Sequence, residues 1–439
     1  MKTLGNSTTA SQQQHSSLSP HPSPLPKTGE GTAPHPSPLP KTGEGKRRGI
    51  PLLHQLRRRT WLGWLQLSHE PGRLLVAIAG IAFADIMIFM QLGFQASLFD
   101  SNTLIRRSLD TDLVLVSPKA RNTQNLSTFA QRRLYQALDV PGVASATPLY
   151  SRSVTWKNPQ TQEDASVQVI GFDPESPAFA IPEMNAQLDL VKLPDAVLFD
   201  RRARGDYDEV FAALAAGDIV TTEAEGRTLS IRGTFELGAS FGADGILITS
   251  DQNFLRLFPR REAGSVSIGL LDLEPGADAE VVLAQLQAIM PEDVEVFTRD
   301  GFAAEEERQL RQDSPIAFIF TLGSAMAFVV GVVIVYQVLS TDVNAHLQEY
   351  ATFKAMGYHN RYLLGVLFEE ALILAILGFI PGTILPIVVY RLAAAATSLP
   401  IAMTTARAVT VFVLTLMMCL MSGAIATRKL QAADPADMF

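Results

Sequence analysis

A hydrophobic content of 47% over 439 residues, with a mean hydropathy of +0.16, is high for a soluble protein, and the apolar residues are bunched into four runs. The net charge of −8 hides a division: residues 100–314 hold 34 acidic and 20 basic side chains, the remainder 10 and 16. An acidic stretch of that size argues against nucleic acid as a partner, and one cysteine, Cys419, excludes an intramolecular disulfide.

Residues 1–48 are rich in Ser, Pro, Gly and Gln and repeat HPSPLPKTGEG at His21–Gly31 and His35–Gly45. Such text cannot bury a core and reads as a disordered extension. Its LPKTG segments match a sortase sorting pattern, which works only near a C-terminus, so duplication of coding DNA is the better account. Residues 49–73 mix leucines with Trp61, Trp64, Arg57, Arg58 and Arg59, the make-up of an interfacial elbow helix.

The apolar runs Leu74–Phe99, Ile316–Leu339, Tyr362–Tyr390 and Ala408–Thr427 are each long enough to span a bilayer. The first run starts too late and is too long for a cleavable signal, so it reads as an anchor. Lys46, Arg47, Arg48, the three arginines at 57–59 and Arg73 precede it, and Arg428 and Lys429 follow the last run. Loop bias in Lys and Arg then predicts cytoplasmic termini and a cytoplasmic turn at 340–361. Asp85 in the first run, and Glu369 and Glu370 in the third, are intramembrane polar residues expected to face protein or water. Pro381 and Pro386 predict a kink or break in the outer half of the third run, and 391–407 an outer loop.

Residues 100–301 read as an outer α/β domain. The pattern predicts strands at Asp112–Ser117, Thr147–Trp156 and Val167–Phe172, and helices at Leu126–Asp139 and near Asp206–Ala216. A hairpin over Asp218–Leu237 should turn at Glu225-Gly226, and a strand–helix–strand unit should occupy Val266–Thr298. A stalk helix, Phe302–Asp313, leads to Ser314-Pro315, either a fresh helix start or a kink in one long stalk.

No Gly-x-x-x-x-Gly-Lys-Ser/Thr occurs, so ATP-driven work would need another chain to bind the nucleotide. GASFG at Gly238–Gly242 fits Gly-x-Ser-x-Gly, but all seven histidines fall on the cytoplasmic side of the predicted topology. That leaves Ser240 without a His partner, and a zinc site in the outer domain without its commonest ligands. No metal or cofactor is expected. The polar turn STDVNAHLQEYATFKAMGYHNRY remains: Asn344 could cap a helix running to Met356, ended by Gly357, with Leu347, Tyr350, Ala351 and Ala355 on one face. It reads either as an ordinary membrane-surface helix or as a docking helix for a cytoplasmic partner.

HLQEYATFKAMGYHNRYLLGVLFEEALILAILGFIPG at His346–Gly382 resembles the FtsX/MacB-type permeases of ABC systems. Trp64–Asn102, Leu198–Asp208, LGASFGADG at Leu237–Gly245, Ile248–Pro259 and Ala433–Phe439 resemble, within that family, the DevC-like permeases of cyanobacterial heterocyst glycolipid export. The resemblance implies an α+β membrane protein, with four transmembrane helices and a large α/β periplasmic domain between the first and second (type VII ABC exporter). It implies a homodimer in the inner membrane, not itself an enzyme, that transmits motion mechanically. Its partners would be a DevA-like cytoplasmic ATPase, a DevB-like membrane-fusion adaptor and a TolC-like outer-membrane duct. The ATPase-facing contacts would be Glu349, Tyr350, Ala351, Lys354, Ala355 and Gly357. The alternative is an FtsX-like scaffold that regulates a cell-wall hydrolase without transport.

Overall fold

The computed structural model describes residues 68–120, 126–262, 264–346 and 360–432, with Trp64, Gln348, Glu349, Thr352 and Met356. The expected extension, residues 1–48, and most of the elbow helix, residues 49–73, lie outside the described residues.

Pro71, whose missing N–H costs nothing at a helix start, opens helix α1, Pro71–Arg107. It runs two turns past the first apolar run, and Arg106 and Arg107 occupy its last turn, where the helix dipole favours cations. The inserted domain follows in the order β1 (Leu113–Val116), β2 (Phe129–Ala130), α2 (Arg132–Leu138), β3 (Val143–Lys157), β4 (Asp164–Phe172), α3 (Pro182–Asn185), α4 (Leu188–Val191) and β5 (Ala196–Asp200). Then come α5 (Asp208–Ala215), β6 (Val220–Ala224), β7 (Arg227–Phe235), β8 (Gly245–Ser250), α6 (Asp251–Leu257), β9 (Ser265–Val266), β10 (Ile268–Leu273), α7 (Ala279–Ile289) and β11 (Glu295–Thr298). The chain returns through α8 (Arg299–Asp313) to α9 (Pro315–Ala345), α10 (Asn360–Thr397) and α11 (Thr405–Ala432).

Nine strands form one mixed sheet in the order β11-β1-β10-β3-β4-β8-β5-β7-β6, and a bridge from Trp156 to Ala224 joins the long β3 to β6. Alternation along β1 shows how the sheet is used. Leu113 and Leu115 enter one core while Val114 and Val116 enter the other. Helices α2, α5, α6 and α7 cover the first face; the end of α1 with α3, α4 and α8 covers the second. Fully buried aromatics such as Phe172, Phe199 and Phe254 each contribute about 1.5–3 kcal/mol of transfer free energy.

Glu225 (φ 51°) and Gly226 (φ 71°) form the turn of the β6–β7 hairpin, both left-handed as a type I′ turn requires. The helix expected over Leu126–Asp139 begins only at Arg132, because Phe129 and Ala130 pair with Val266 and Ser265 instead. Burial of Phe129 in the domain core outweighs the local helical pattern. Ser314 resolves the stalk junction. Its backbone is extended (φ −83°, ψ 117°) and its Oγ accepts the Ala317 N–H, so α8 ends and α9 starts afresh.

Among the described residues, four helices are long and apolar enough to span a membrane: α1, α9, the part of α10 from Gly365, and α11 to Ala426. The prolines at 381 and 386 do not break α10, and it continues to Thr397, so the outer connection shortens to residues 398–404. Both prolines lie in a helix whose glycines sit tight against α1. A Cβ on Gly378 would fall 2.5 Å from Ile81 Cγ2, and one on Gly382 would fall 2.8 Å from Asp85 Cβ. This small-xxx-small spacing lets the two backbones approach. α1 is the hub of the bundle, packing on α9, α10 and α11.

Candidate functional site

The polar turn between α9 and α10 begins with a helix end. Residues to Ala345 continue α9, so Asn344 lies in its last turn and does not cap a new helix. His346 closes α9: its N–H and its Nδ1 both lie 3.1 Å from the Asp342 carbonyl, and Nδ1 is 3.5 Å from Asp342 Oδ1. Beyond it, Gln348, Glu349 and Thr352 are helical and exposed. Thr352 Oγ1 donates to the Gln348 carbonyl at 2.8 Å, and Met356 N–H to the Thr352 carbonyl at 3.0 Å. Gln348, Thr352 and Met356 are thus linked by i to i+4 hydrogen bonds, and Met356 is 61% exposed. Tyr350, Ala351, Lys354, Ala355 and Gly357 lie outside the described residues, as does Leu347.

Behind the turn, α9 and α10 bring two carboxyls together. Asp342 is buried and interacts with the fully buried Glu370 of α10, whereas neighbouring Glu369 is half-buried. One hundred degrees of helical rotation separates the two glutamates and explains the difference. Asp85 also faces protein. It is fully buried and accepts a hydrogen bond from Thr415 Oγ1 of α11 at 2.7 Å. Gln95 of α1 donates to Thr321 Oγ1 of α9 at 2.8 Å, and Ser422 of α11 donates to the Val332 carbonyl at 2.8 Å. Polar side chains thus link all four helices across the bundle.

At the other end of the bundle, two features bind the inserted domain. Arg106 of α1 meets Glu306 of α8 at 2.7 Å, donates to the Phe302 carbonyl at 2.9 Å and lies over the Phe302 ring at 3.7 Å. The Gly238–Gly245 segment forms the second. Ser240 Oγ accepts the Gly242 and Ala243 N–H groups at 3.3 and 3.0 Å, the work of a turn-forming serine. Asp200 accepts from the Arg202, Leu237 and Gly238 N–H groups at 2.9, 3.0 and 2.6 Å. Burial nevertheless pushes its carboxyl above the ordinary aspartate range. Among the described residues, no group of three or more His, Cys, Asp or Glu is placed to hold a metal ion.

Sequence reasoning missed Arg106, Glu306, Asp342 and Arg204. Nothing in local pattern marks a long-range ion pair. The Gly378–Gly382 spacing, a helix-packing pattern in the third apolar run, was also passed over.

Two family models match the chain. One, described as the MacB-like periplasmic core domain, covers residues 74–289, and the other, the FtsX-like permease C-terminal, covers 321–435. The chain belongs to the FtsX-like/MacB-like permease family. Similar solved structures include the periplasmic region of MacB from Actinobacillus actinomycetemcomitans, at 13% identity and a TM-score of 0.29, covering 46% of this chain and 94% of that one. Another is the extracellular domain of the noncanonic ABC-type transporter YknZ from Gram-positive bacteria, at 12% identity and a TM-score of 0.30, covering 43% and 98%. No curated protein matches the chain. FtsX-like/MacB-like permeases are membrane subunits of ABC transporters that work with an ATPase partner. The described architecture, with a MacB-like periplasmic core domain between the first two of four spanning helices, fits an inner-membrane member of this family.

Proposed function

We propose that this permease is the DevC-like membrane subunit of a tripartite exporter and relays the ATP-driven motion of a separate, DevA-like ATPase to the periplasm. The observation that carries the reading is the exposed, helical trio Gln348, Glu349 and Thr352 in the connection between two spanning helices, which bury the carboxyls of Asp342 and Glu370 behind it. Such a turn transmits work if its partner binds one arrangement of the bundle better than another. Glu349, Tyr350, Ala351, Lys354, Ala355 and Gly357 are the residues we assign to the ATPase contact.

In this reading two copies of the chain act together, both termini are cytoplasmic, and the core domain engages a DevB-like adaptor and a TolC-like duct. The cargo is lipid-like, of the glycolipid class, and is pushed from the periplasm. The chain itself performs no catalysis, and its Ser240→Ala variant exports normally.

Affinity purification from membranes tests the reading. Recovery of an ATPase together with an adaptor and duct supports it, and recovery of a murein hydrolase with no adaptor supports the FtsX-like scaffold instead. Reporter fusions test the topology: a fusion at residue 200 is expected to be active outside, and one at 350 inside.

A further inference from the structure

Helix α10 starts beside the coupling turn and runs unbroken for 38 residues, about 57 Å at the α-helical rise, to Thr397. Its far end is held by the core domain. Arg204 donates from Nε to the Thr397 carbonyl at 2.8 Å, from Nη1 to Asp244 Oδ1 at 2.8 Å and from Nη2 to the Ser240 carbonyl at 3.1 Å. The carbonyl it meets is at the negative end of the helix dipole, where a cation is favoured. Ser398 then leaves the helix in the left-handed conformation (φ 54°).

Arg204 is itself anchored in the sheet. Its N–H donates to the Asp244 carbonyl at 2.6 Å, while Asp244 exchanges hydrogen bonds with the Ser166 backbone of β4 at 2.6 and 3.0 Å. The parallel pair β5 and β7 brings the loop carrying Arg204 and the loop carrying Ser240 to the same end of the sheet. Phe241, at the tip of the second loop, packs with Phe99 of α1 and Ala317 of α9, and also with the apolar group around Tyr390, Leu399 and Ile401. Its place explains the glycine-rich GASFG text: the loop is a foot set on the outer ends of the spanning helices.

The other route from turn to domain is different. It follows α9 outward and meets the extended residue Ser314 before α8 begins. A displacement along α9 therefore passes through a non-helical joint, whereas one along α10 does not.

We infer that Arg204 is a positioning residue for energy coupling: it fastens the outer end of α10 to the core domain, so that α10 acts as the push rod between the ATPase-facing turn and the periplasm. The inference rests on the proposed coupling function and adds the route. Lysine cannot replace this arginine, because a single ammonium lacks the planar fork that reaches three separate acceptors.

The test uses the full chain with Cys419→Ala, and nitroxide labels at Gln252→Cys in the core domain and Ala402→Cys in the outer loop, both exposed. Pulsed electron–electron spectroscopy is read without nucleotide and in the ATPase complex trapped with ATP and vanadate. In the chain with Arg204 the two labels sit on joined bodies, so we expect one narrow distance distribution that keeps its mean on trapping. In Arg204→Ala we expect at least a doubling of its width and a shifted mean on trapping, with ATPase capture unchanged. If Arg204→Ala lowers the yield of folded chain, Arg204→Lys is read in the same way. A variant as narrow and as fixed as the parent overturns this inference alone. A parent that captures no ATPase overturns the proposed coupling with it.

Discussion

The guanidinium of Arg106, at the end of the first spanning helix, lies 2.7 Å from the Glu306 carboxylate, and their side chains are only 2% and 0% exposed. Taking two charges out of water is costly, and a pair this enclosed is held by its geometry and by the Phe302 contacts. Removing one partner strands the other. Arg106→Ala or Glu306→Ala should each destabilise the chain by about 3–5 kcal/mol, whereas the double change Arg106→Met with Glu306→Leu should recover most of that loss. Thermal unfolding of the full chain in detergent, followed by tryptophan fluorescence, checks both halves.

The close approach of α10 to α1 gives a second expectation. Gly382→Leu would drive a side chain into Asp85 and the backbone of Ala82, whose Cα lies only 3.2 Å from the position of an added Cβ. Overpacking of this kind costs about 1–3 kcal/mol or more when backbone must shift. Gly72→Leu has open space around its Cβ and should be tolerated. Size-exclusion profiles after graded heating should separate the two variants.

Asp200 supplies a pH dependence. Its folded carboxyl titrates above the ordinary value because burial penalises the charge, despite three backbone N–H donors. The folded state therefore holds its proton where the unfolded state, titrating near about 3.9, has lost it. Asp200 alone makes the chain gain stability as pH falls toward that value. The melting temperature of the parent minus that of Asp200→Asn should rise between pH 7.5 and 4.5. A flat difference would contradict the assignment.

At the turn, Glu349→Arg and Ala351→Asp should each weaken capture of the ATPase at least tenfold, about 1.4 kcal/mol. The inserted domain should keep its thermal unfolding unchanged in both. Capture measured on immobilised full chain in detergent decides it.

Where a segment's fate depends on its own residues, the sequence was informative. The four apolar runs, the Glu225-Gly226 turn and the Val266–Thr298 unit all follow from local period and turn chemistry. β5 was not read as a strand because all five of its residues are buried, which erases the alternation that marks a strand. The helix expected over Leu126–Asp139 starts late, at Arg132, for a related reason: the distant Ser265–Val266 claims Phe129 and Ala130 for a strand pair. Of the candidate site, the turn and the intramembrane carboxyls were legible as charges in apolar text. Arg204 and Asp342 were not, since their meaning lies in the partners that the fold brings to them.

The joining of α1 to α8 through Arg106 and Glu306 has a consequence for how such permeases diversify. The polypeptide leaves the bundle and comes back to it along one post, so the periplasmic module is a cassette whose two chain crossings lie together, with the Arg204 and Phe241 contacts as a second footing. Lineages can exchange such a cassette while the four-helix base beneath keeps its shape.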